Sequence, residues 1–195
     1  MGLFDSFKKN KKSVWKKFIE KYKPDTNLIK PSEHITAACS SAGVDEQILE
    51  FMKEYGFGNY GDGIIKLIDP EKYMDSFYRW LGKEDYSRIP FMMTAFGDIF
   101  YFRNLGEGEY DISFLDIHYR KISVVAYTVE EFVEYLVDRE IEEDILRRHL
   151  FDEAKKKLGV LPLNEIYYFV PALVTGGTEE IKYVNKGDAA THQWL

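Results

Sequence analysis

The sequence predicts an α+β fold in which an antiparallel β-meander of about four to five strands packs against several helices. Two patterns predict this fold class. Residues 89–127 contain four short apolar runs separated by turns, whereas the segments on both sides carry helical spacing. In addition, the 195 residues are 45% apolar and 16% aromatic, which is sufficient to bury a sizeable core.

The first 30 residues are predicted to form a basic amphipathic helix and a connector, and residues 31–195 a single α+β domain. Apolar residues recur in the N-terminal segment at helical steps and share one face: Leu3, Phe4, Phe7, Val14, Trp15, Phe18, Ile19 and Tyr22. Lysines occupy the opposite face, and Pro24 ends the helix. We expect this helix to pack on its own domain, with docking onto a membrane surface as the alternative.

Four elements are predicted between the connector and the meander. They are helices over 34–41 and 45–55, a strand over 64–68, and a helix from Asp69-Pro70 to Gly82. Asp45 and Asp69 are suitable N-caps, and a proline directly after a cap is typical of a helix start. Gly82 is a suitable helix end.

The meander consists of strands predicted over 90–96, 99–102, 110–117 and 121–127, with Gly97-Asp98 as the first turn. Short connections between consecutive strands favour antiparallel pairing. Thr128 and Glu131 form a capping box that predicts a helix through Val137. The elements predicted after it are a charged helix over 141–157, an apolar stretch over 166–174, a short strand over 181–184 and a last helix from Asp188.

Charge is distributed unevenly along the chain. The net charge is −7, but residues 1–24 contain eight lysines and two acidic residues, a local charge of +6, so the remainder carries −13. An acidic body disfavours binding to nucleic acid, because phosphates require clustered lysine and arginine. Such a body suits either a basic protein partner or simple solubility.

No pattern in the sequence indicates catalysis, a metal or a cofactor. The four histidines stand in separate elements, and Cys39 is the only cysteine, which also favours a reducing, cytoplasmic compartment. Gly56–Gly61 has the spacing of a dinucleotide-binding loop, but a helix precedes it and a strand follows, the reverse of what phosphate binding needs. We expect a turn there, and no enzyme.

Several short motifs, in this order, resemble a known protein family. They are Gly61-Asp62-Gly63, Asp69-Pro70, Thr94-Ala95-Phe96-Gly97-Asp98 before the aromatic strand 99–102, and the late run from Tyr168 to Gly177. Together they are similar to the GAD-like domain joined to the C-terminal region of type VI secretion DNase immunity proteins. The resemblance covers about residues 35–195.

The resemblance implies an immunity protein that binds a toxin, most simply a basic nuclease, and blocks its activity. It supplies no catalytic residues. Acidic loops and aromatic side chains are predicted to form part of the toxin-facing surface: Asp98, Tyr101, Glu107, Glu109, Tyr110, Asp111 and Asp116. Two alternatives remain open. One is a sensor domain with a small-ligand pocket behind the meander, and the other is a membrane-surface adaptor that uses the N-terminal helix.

Overall fold

A computed structural model describes residues 14–193 of the chain. Its helices are α1 (Lys16–Lys21), α2 (Glu33–Ser41), α3 (Glu46–Glu54), α4 (Pro70–Leu81), α5 (Val129–Val137), α6 (Arg139–Asp144), α7 (Arg148–Leu158) and α8 (Ala189–His192). Its strands are β1 (Gly58–Tyr60), β2 (Ile65–Leu67), β3 (Arg88–Thr94), β4 (Ile99–Gly106), β5 (Glu109–Asp116), β6 (Lys121–Ala126), β7 (Glu165–Phe169) and β8 (Val184–Asp188). The predicted α+β class is confirmed.

The first six strands form one open antiparallel sheet in chain order, from β1 to β6. The predicted meander is its β3–β6 part, and short turns enforce this order because they can join only neighbouring antiparallel strands. The sheet is wider than predicted, since the glycine-rich segment before Gly61 contributes β1 and not only a turn. A separate hairpin pairs β7 with β8.

Helix α1 is part of the main core. Trp15, Phe18 and Tyr22 are at most 5% exposed, and the Trp15 indole stacks on Phe51 of α3 with 4.1 Å between ring centroids. The indole Nε1 also donates to the carbonyl of Gln47 at 3.1 Å. The N-terminal helix therefore packs on its own domain, as predicted. The earlier part of that predicted helix, residues 1–13, lies outside the described residues.

Helix boundaries follow the predicted caps. The side chains of Asp45, Asp69 and Thr128 each accept a hydrogen bond from a backbone N–H in the first turn of α3, α4 and α5, respectively. Gly82 adopts the left-handed conformation that ends α4. Short polar side chains at helix starts satisfy N–H groups that have no partner inside the helix, which is why these positions were predictable.

Two predicted elements differ in the structure. The single helix predicted over 141–157 is two helices, because Arg147 takes a left-handed conformation with φ of 51° between α6 and α7. The strand predicted over 181–184 is a turn of 3₁₀ helix, and pairing with β7 begins only at Val184. At Arg147 the local helical pattern is overridden by its tertiary contacts with Asp98 and Glu179.

Helices cover both faces of the sheet. On one face Phe100 of β4 packs against Phe132 of α5, with 5.4 Å between ring centroids. On the other face Tyr101 packs against Phe77 of α4, at 4.9 Å. The hairpin β7–β8 continues the main core, where Phe169 stacks on Phe96. The meander and the C-terminal segment consequently share one core.

Candidate functional site

Three of the seven predicted surface residues are buried. Asp98, Tyr101 and Asp111 are at most 1% exposed. The expectation that Tyr101 is an exposed aromatic is wrong, because its ring lies beneath α4 against Phe77. These three side chains therefore do not lie on the surface that a partner protein contacts.

Asp111 forms an ion pair with Arg103 on the neighbouring strand. The two residues are register partners between β4 and β5, and Arg103 Nε donates to Asp111 Oδ2 at 3.0 Å. Nη2 also donates to Oδ2, and Nε lies 3.2 Å from Oδ1, so the guanidinium contacts both carboxylate oxygens. The Ser113 hydroxyl donates to Oδ1 at 2.8 Å. A charge-assisted pair of this kind fixes the strand register rather than offering a free charge.

Asp98 connects the β3–β4 turn to two other elements. Its Oδ1 accepts from the backbone N–H of Ile117 at 3.1 Å, and its Oδ2 accepts from Arg147 Nη1 at 2.7 Å. Gly97 brings the turn close to β7: its φ is 91°, and a Cβ there would lie 2.7 Å from Ile166 Cδ1. Asp98 is thus a buried structural anchor, consistent with the turn role of the Gly97-Asp98 motif.

Arg147 lies at the centre of a cluster of carboxylates and is itself 5% exposed. Its Nε donates to Glu179 at 3.0 Å, and its Nη2 lies 3.9 Å from Asp116. Burial disfavours the charged guanidinium, but the carboxylates of Asp98, Glu179 and Asp116 outweigh burial and raise the pKa of Arg147. The cluster, which we name the Arg147 network, joins the meander to the C-terminal segment.

Asp116 belongs to the same network and also closes the β5–β6 turn. Its Oδ1 accepts from the backbone N–H groups of His118 and Tyr119 at 2.9 and 3.0 Å. Burial raises the pKa of Asp116, and the nearby Asp98 carboxylate raises it further. Because Oδ1 accepts both turn N–H groups and Oδ2 lies near Arg147, Asp116 stabilises the turn and contributes little accessible charge.

Glu107, Glu109 and Tyr110 lie at the opposite end of the sheet from Asp116. Strand β5 runs from Glu109 to Asp116, so the two ends are about 24 Å apart at the usual rise per residue. The structure therefore separates the predicted surface residues into two groups. In the group at the β4–β5 hairpin, both Glu107 and Glu109 are exposed.

The hairpin end lies against the first turns of α3 and α5. Asn104 Nδ2 donates to the carbonyl of Ala42 at 3.0 Å, and Gln47 Nε2 donates to Glu130 Oε1 at 3.0 Å. These contacts bring together segments 42–47, 104–110 and 127–131, which contain six acidic residues and no lysine or arginine. We name this surface the acidic corner: Asp45, Glu46, Glu107, Glu109, Glu130 and Glu131.

Tyr110 is the aromatic residue of the acidic corner. It is partly buried against Phe102, with 5.0 Å between ring centroids, and its hydroxyl hydrogen-bonds to Asp45. Burial raises the pKa of Tyr110, and the Asp45 carboxylate raises it further. Sequence reasoning identified the hairpin part of this surface but missed the residues from α3 and α5, although both helices begin with acidic residues that mark their N-termini.

A second feature at the far end of the sheet is a groove of about 380 Å³. Its walls come from the end of α4, the β5–β6 turn, β7 and the loop after β7, with Trp80, Ile117, Arg120, Tyr168 and Leu173 among the lining residues. The loop contributes the exposed Val170 and Val174 at the rim. This groove lies close to the Arg147 network, since His118 lines it and also lies 3.9 Å from Asp98.

Within residues 14–193 no three His, Cys, Asp or Glu side chains are grouped so that they could hold a metal ion. The Gly56–Gly61 segment runs from the end of α3 into β1, and its N–H groups at Gly61 and Phe57 donate to backbone carbonyls of Lys23 and Ile29. These two N–H groups are therefore used in backbone hydrogen bonds and do not face a phosphate. Among the described helices, none has the length and apolar character required to cross a bilayer.

Two family models match the chain. The model of the GAD-like domain matches residues 13–114, and the model of the C-terminal domain of the type VI secretion immunity protein Tdi1 matches residues 126–195. The first match begins at residue 13, so it extends to α1, beyond the region of the resemblance seen in the sequence. No curated protein matches the chain significantly.

Among solved structures, the crystal structure of Atu4351 from Agrobacterium tumefaciens is similar in fold. The two chains share 18% identity and a TM-score of 0.70, over 92% of this chain and 86% of that chain. At this identity the likeness concerns the fold alone. Residues 126–195 are similar to the C-terminal domain of the Tdi1 immunity protein, and this match supports an immunity role. Since the GAD-like model covers more than half of the residues, the chain belongs to the GAD-like domain family.

Proposed function

We propose that this protein neutralises a basic nuclease toxin by binding it, without catalysis, through the acidic corner. The observation that carries the immunity part of the proposal is the match of residues 126–195 to the Tdi1 C-terminal domain. The nuclease part follows from charge. Proteins that grip nucleic acid present clustered lysine and arginine, and an acidic surface is complementary to them.

The acidic corner suits such an encounter better than the Arg147 network does. Its glutamates at 107, 109, 130 and 131 are exposed, whereas the carboxylates around Arg147 are neutralised inside the protein. Rim charges of this kind accelerate association and set the salt dependence of binding. Glu107 lies in the turn between β4 and β5 and Glu109 begins β5, with Leu105 49% exposed beside them.

The test is a charge reversal of the hairpin, Glu107→Lys with Glu109→Lys, assayed for affinity to the purified toxin from the adjacent gene. We expect binding at low salt to weaken by about tenfold or more. The decrease of affinity with added salt should also become shallower, because fewer ion pairs remain for the salt to screen. The measurement is calorimetric titration at several salt concentrations.

The matched control is Glu143→Lys with Asp144→Lys. Both residues are exposed acids at the end of α6, which follows the C-terminal end of α5, whereas the acidic corner lies at the N-terminal end of α5. The two double variants change the net charge by the same amount. The control is expected to bind nearly as tightly as the natural chain. Equal losses in the two variants would indicate a response to net charge alone, and an unchanged affinity in the hairpin variant would remove the acidic corner from the binding surface.

A further inference from the structure

The groove beside the β5–β6 turn is bordered by a buried hydrogen-bond cluster centred on Gln193. Gln193, 1% exposed, joins α4 to the turn between β3 and β4. The Ser76 hydroxyl donates to Gln193 Oε1 at 3.0 Å, Trp80 Nε1 donates to the Gln193 carbonyl at 2.8 Å, and Gln193 Nε2 donates to the carbonyl of Gly97 at 3.0 Å. A volume of about 380 Å³ is within the range of small-molecule sites.

The wall formed by the loop after β7 is also tightly packed. A Cβ at Gly177 would lie 2.2 Å from the carbonyl oxygen of Pro171, so the two arms of the loop approach each other as closely as a glycine allows. The lining is apolar along Ile117, Ile166 and Leu173. On another side Tyr168 and His192 stack face to face, with 3.6 Å between ring centroids. These surfaces suit an aliphatic or aromatic body.

The ionisable groups that line the groove are unusual for an acidic protein. They are His118, Arg120, Tyr168 and His192, and no carboxylate is among the described lining residues. Arg120 is exposed and makes no hydrogen bond or ion pair within residues 14–193. It also has a φ of 53°, a left-handed conformation that is uncommon for a residue with a side chain. An unpaired guanidinium therefore stands at the mouth of an apolar groove.

His118 adds a second polar atom. Its Nε2 lies 2.8 Å from the carbonyl oxygen of Phe96, and because a carbonyl only accepts, Nε2 carries a hydrogen and donates it. The ring packs edge-on against Phe169, which fixes its orientation.

We propose that this groove binds a small amphipathic carboxylate, with the apolar body along Ile117, Ile166 and Leu173 and the carboxylate at Arg120. A second groove of about 340 Å³ between α2 and α4 provides an internal comparison. It is also apolar, with Ile35, Met74 and Ile89 in its walls, but the ionised residue at its edge is Glu71. A ligand that enters only for apolar burial would use either groove, whereas a carboxylate is expected only beside Arg120.

The experiment titrates the full chain with octanoate and, in parallel, with the uncharged octanol, and follows backbone amide shifts by NMR. We expect saturable shifts of residues 117–120 and 166–174 with octanoate, and binding of octanol that is about tenfold weaker, as for the loss of one charge-assisted hydrogen bond. Arg120→Gln is expected to remove this preference for the carboxylate while leaving octanol binding unchanged.

Two filling variants locate the site. Leu173→Trp is expected to abolish octanoate binding, whereas Ala38→Trp, which fills the α2–α4 groove from an exposed position, is expected to leave it intact. The proposal is overturned by an absence of saturable octanoate binding, by equal affinities for octanoate and octanol, or by loss of binding in Ala38→Trp alone. Because the chain is measured without a toxin, these outcomes are independent of the proposed toxin binding.

Discussion

Arg147 Nη1 lies 2.7 Å from Asp98 Oδ2, and this contact joins residues that belong to the two different family matches. Asp98 follows β3 in the GAD-like part, whereas Arg147 precedes α7 in the part similar to the Tdi1 C-terminal domain. Both side chains are almost completely buried. The buried carboxylate of the GAD-like part is therefore neutralised by an arginine of the second part, and the network requires both parts.

Replacement of Arg147 by Met is expected to destabilise the protein by about 3–5 kcal/mol, because Asp98 would remain buried without its partner. The free energy of unfolding is measured by urea titration. Arg148→Met is the matched control: Arg148 is partly exposed and pairs with Glu142 and Asp152, so its loss should cost less than about 1 kcal/mol. Similar costs for the two variants would show that the buried pair contributes no more than a surface pair.

A second prediction concerns two glycines that both have positive φ. Gly108→Ala, where nothing lies within 4 Å of the new Cβ, should cost about 1–2 kcal/mol from the backbone conformation alone. Gly97→Ala should cost about 1–3 kcal/mol more, because its Cβ would overlap Ile166. Thermal unfolding of both variants tests this order. A Gly97 variant no less stable than the Gly108 variant would mean that the turn can move away from β7.

Lys66 is fully buried and predicts a pH dependence of stability. Its Nζ donates to Asn59 Oδ1 at 2.8 Å and to the carbonyl of Pro162 at 2.9 Å. Burial lowers the pKa of Lys66 to about 7, although Asp25 and Glu165 act in the raising direction. Between pH 7 and the ordinary lysine pKa of 10.5, the unfolded chain binds the proton that the folded protein has released.

Since the unfolded state binds more protons in that window, stability should rise with pH between about 7 and 10.5. Urea unfolding across this range is expected to show the rise in the natural chain and in Lys72→Met, an exposed lysine. The rise should be smaller in Lys66→Met. Identical pH profiles in Lys66→Met and the natural chain would contradict the lowered pKa.

The last stability prediction tests the role of α1. Trp15→Ala should cost about 3–5 kcal/mol, because it removes a buried indole that stacks on Phe51 and bonds to Gln47. Lys16→Ala on the same helix should change stability by less than about 0.5 kcal/mol, since Lys16 is exposed. If the two variants were equally stable, α1 would be a detachable segment, as a membrane-surface adaptor requires.

Much of the fold was predictable because local signals and tertiary structure agree. Asp69-Pro70 and Gly82 define α4 from both ends, and the turns after Thr94 and before Lys121 define the meander. The break at Arg147 was not predictable, since residues 141–157 carry an uninterrupted helical pattern. It exists because Arg147 turns inward to Asp98 and Glu179, which are 49 and 32 residues away in the sequence.

The candidate site was predictable only in part, for a related reason. An acidic residue in a turn has the same sequence pattern whether it faces solvent, as Glu107 does, or an arginine, as Asp98 does. The acidic corner combines three segments that meet only in the folded protein, through contacts such as Gln47 with Glu130. The sequence predicted the hairpin residues of this surface, but not that the starts of α3 and α5 lie beside them.

The most direct test of the immunity proposal is co-expression of the tagged full chain with the toxin from the adjacent gene, followed by purification and a growth assay. We expect a stable complex and restored growth, with both reduced by Glu107→Lys and Glu109→Lys but retained in the Glu143→Lys, Asp144→Lys control. A toxin that is neither bound nor neutralised by the natural chain would contradict the central claim.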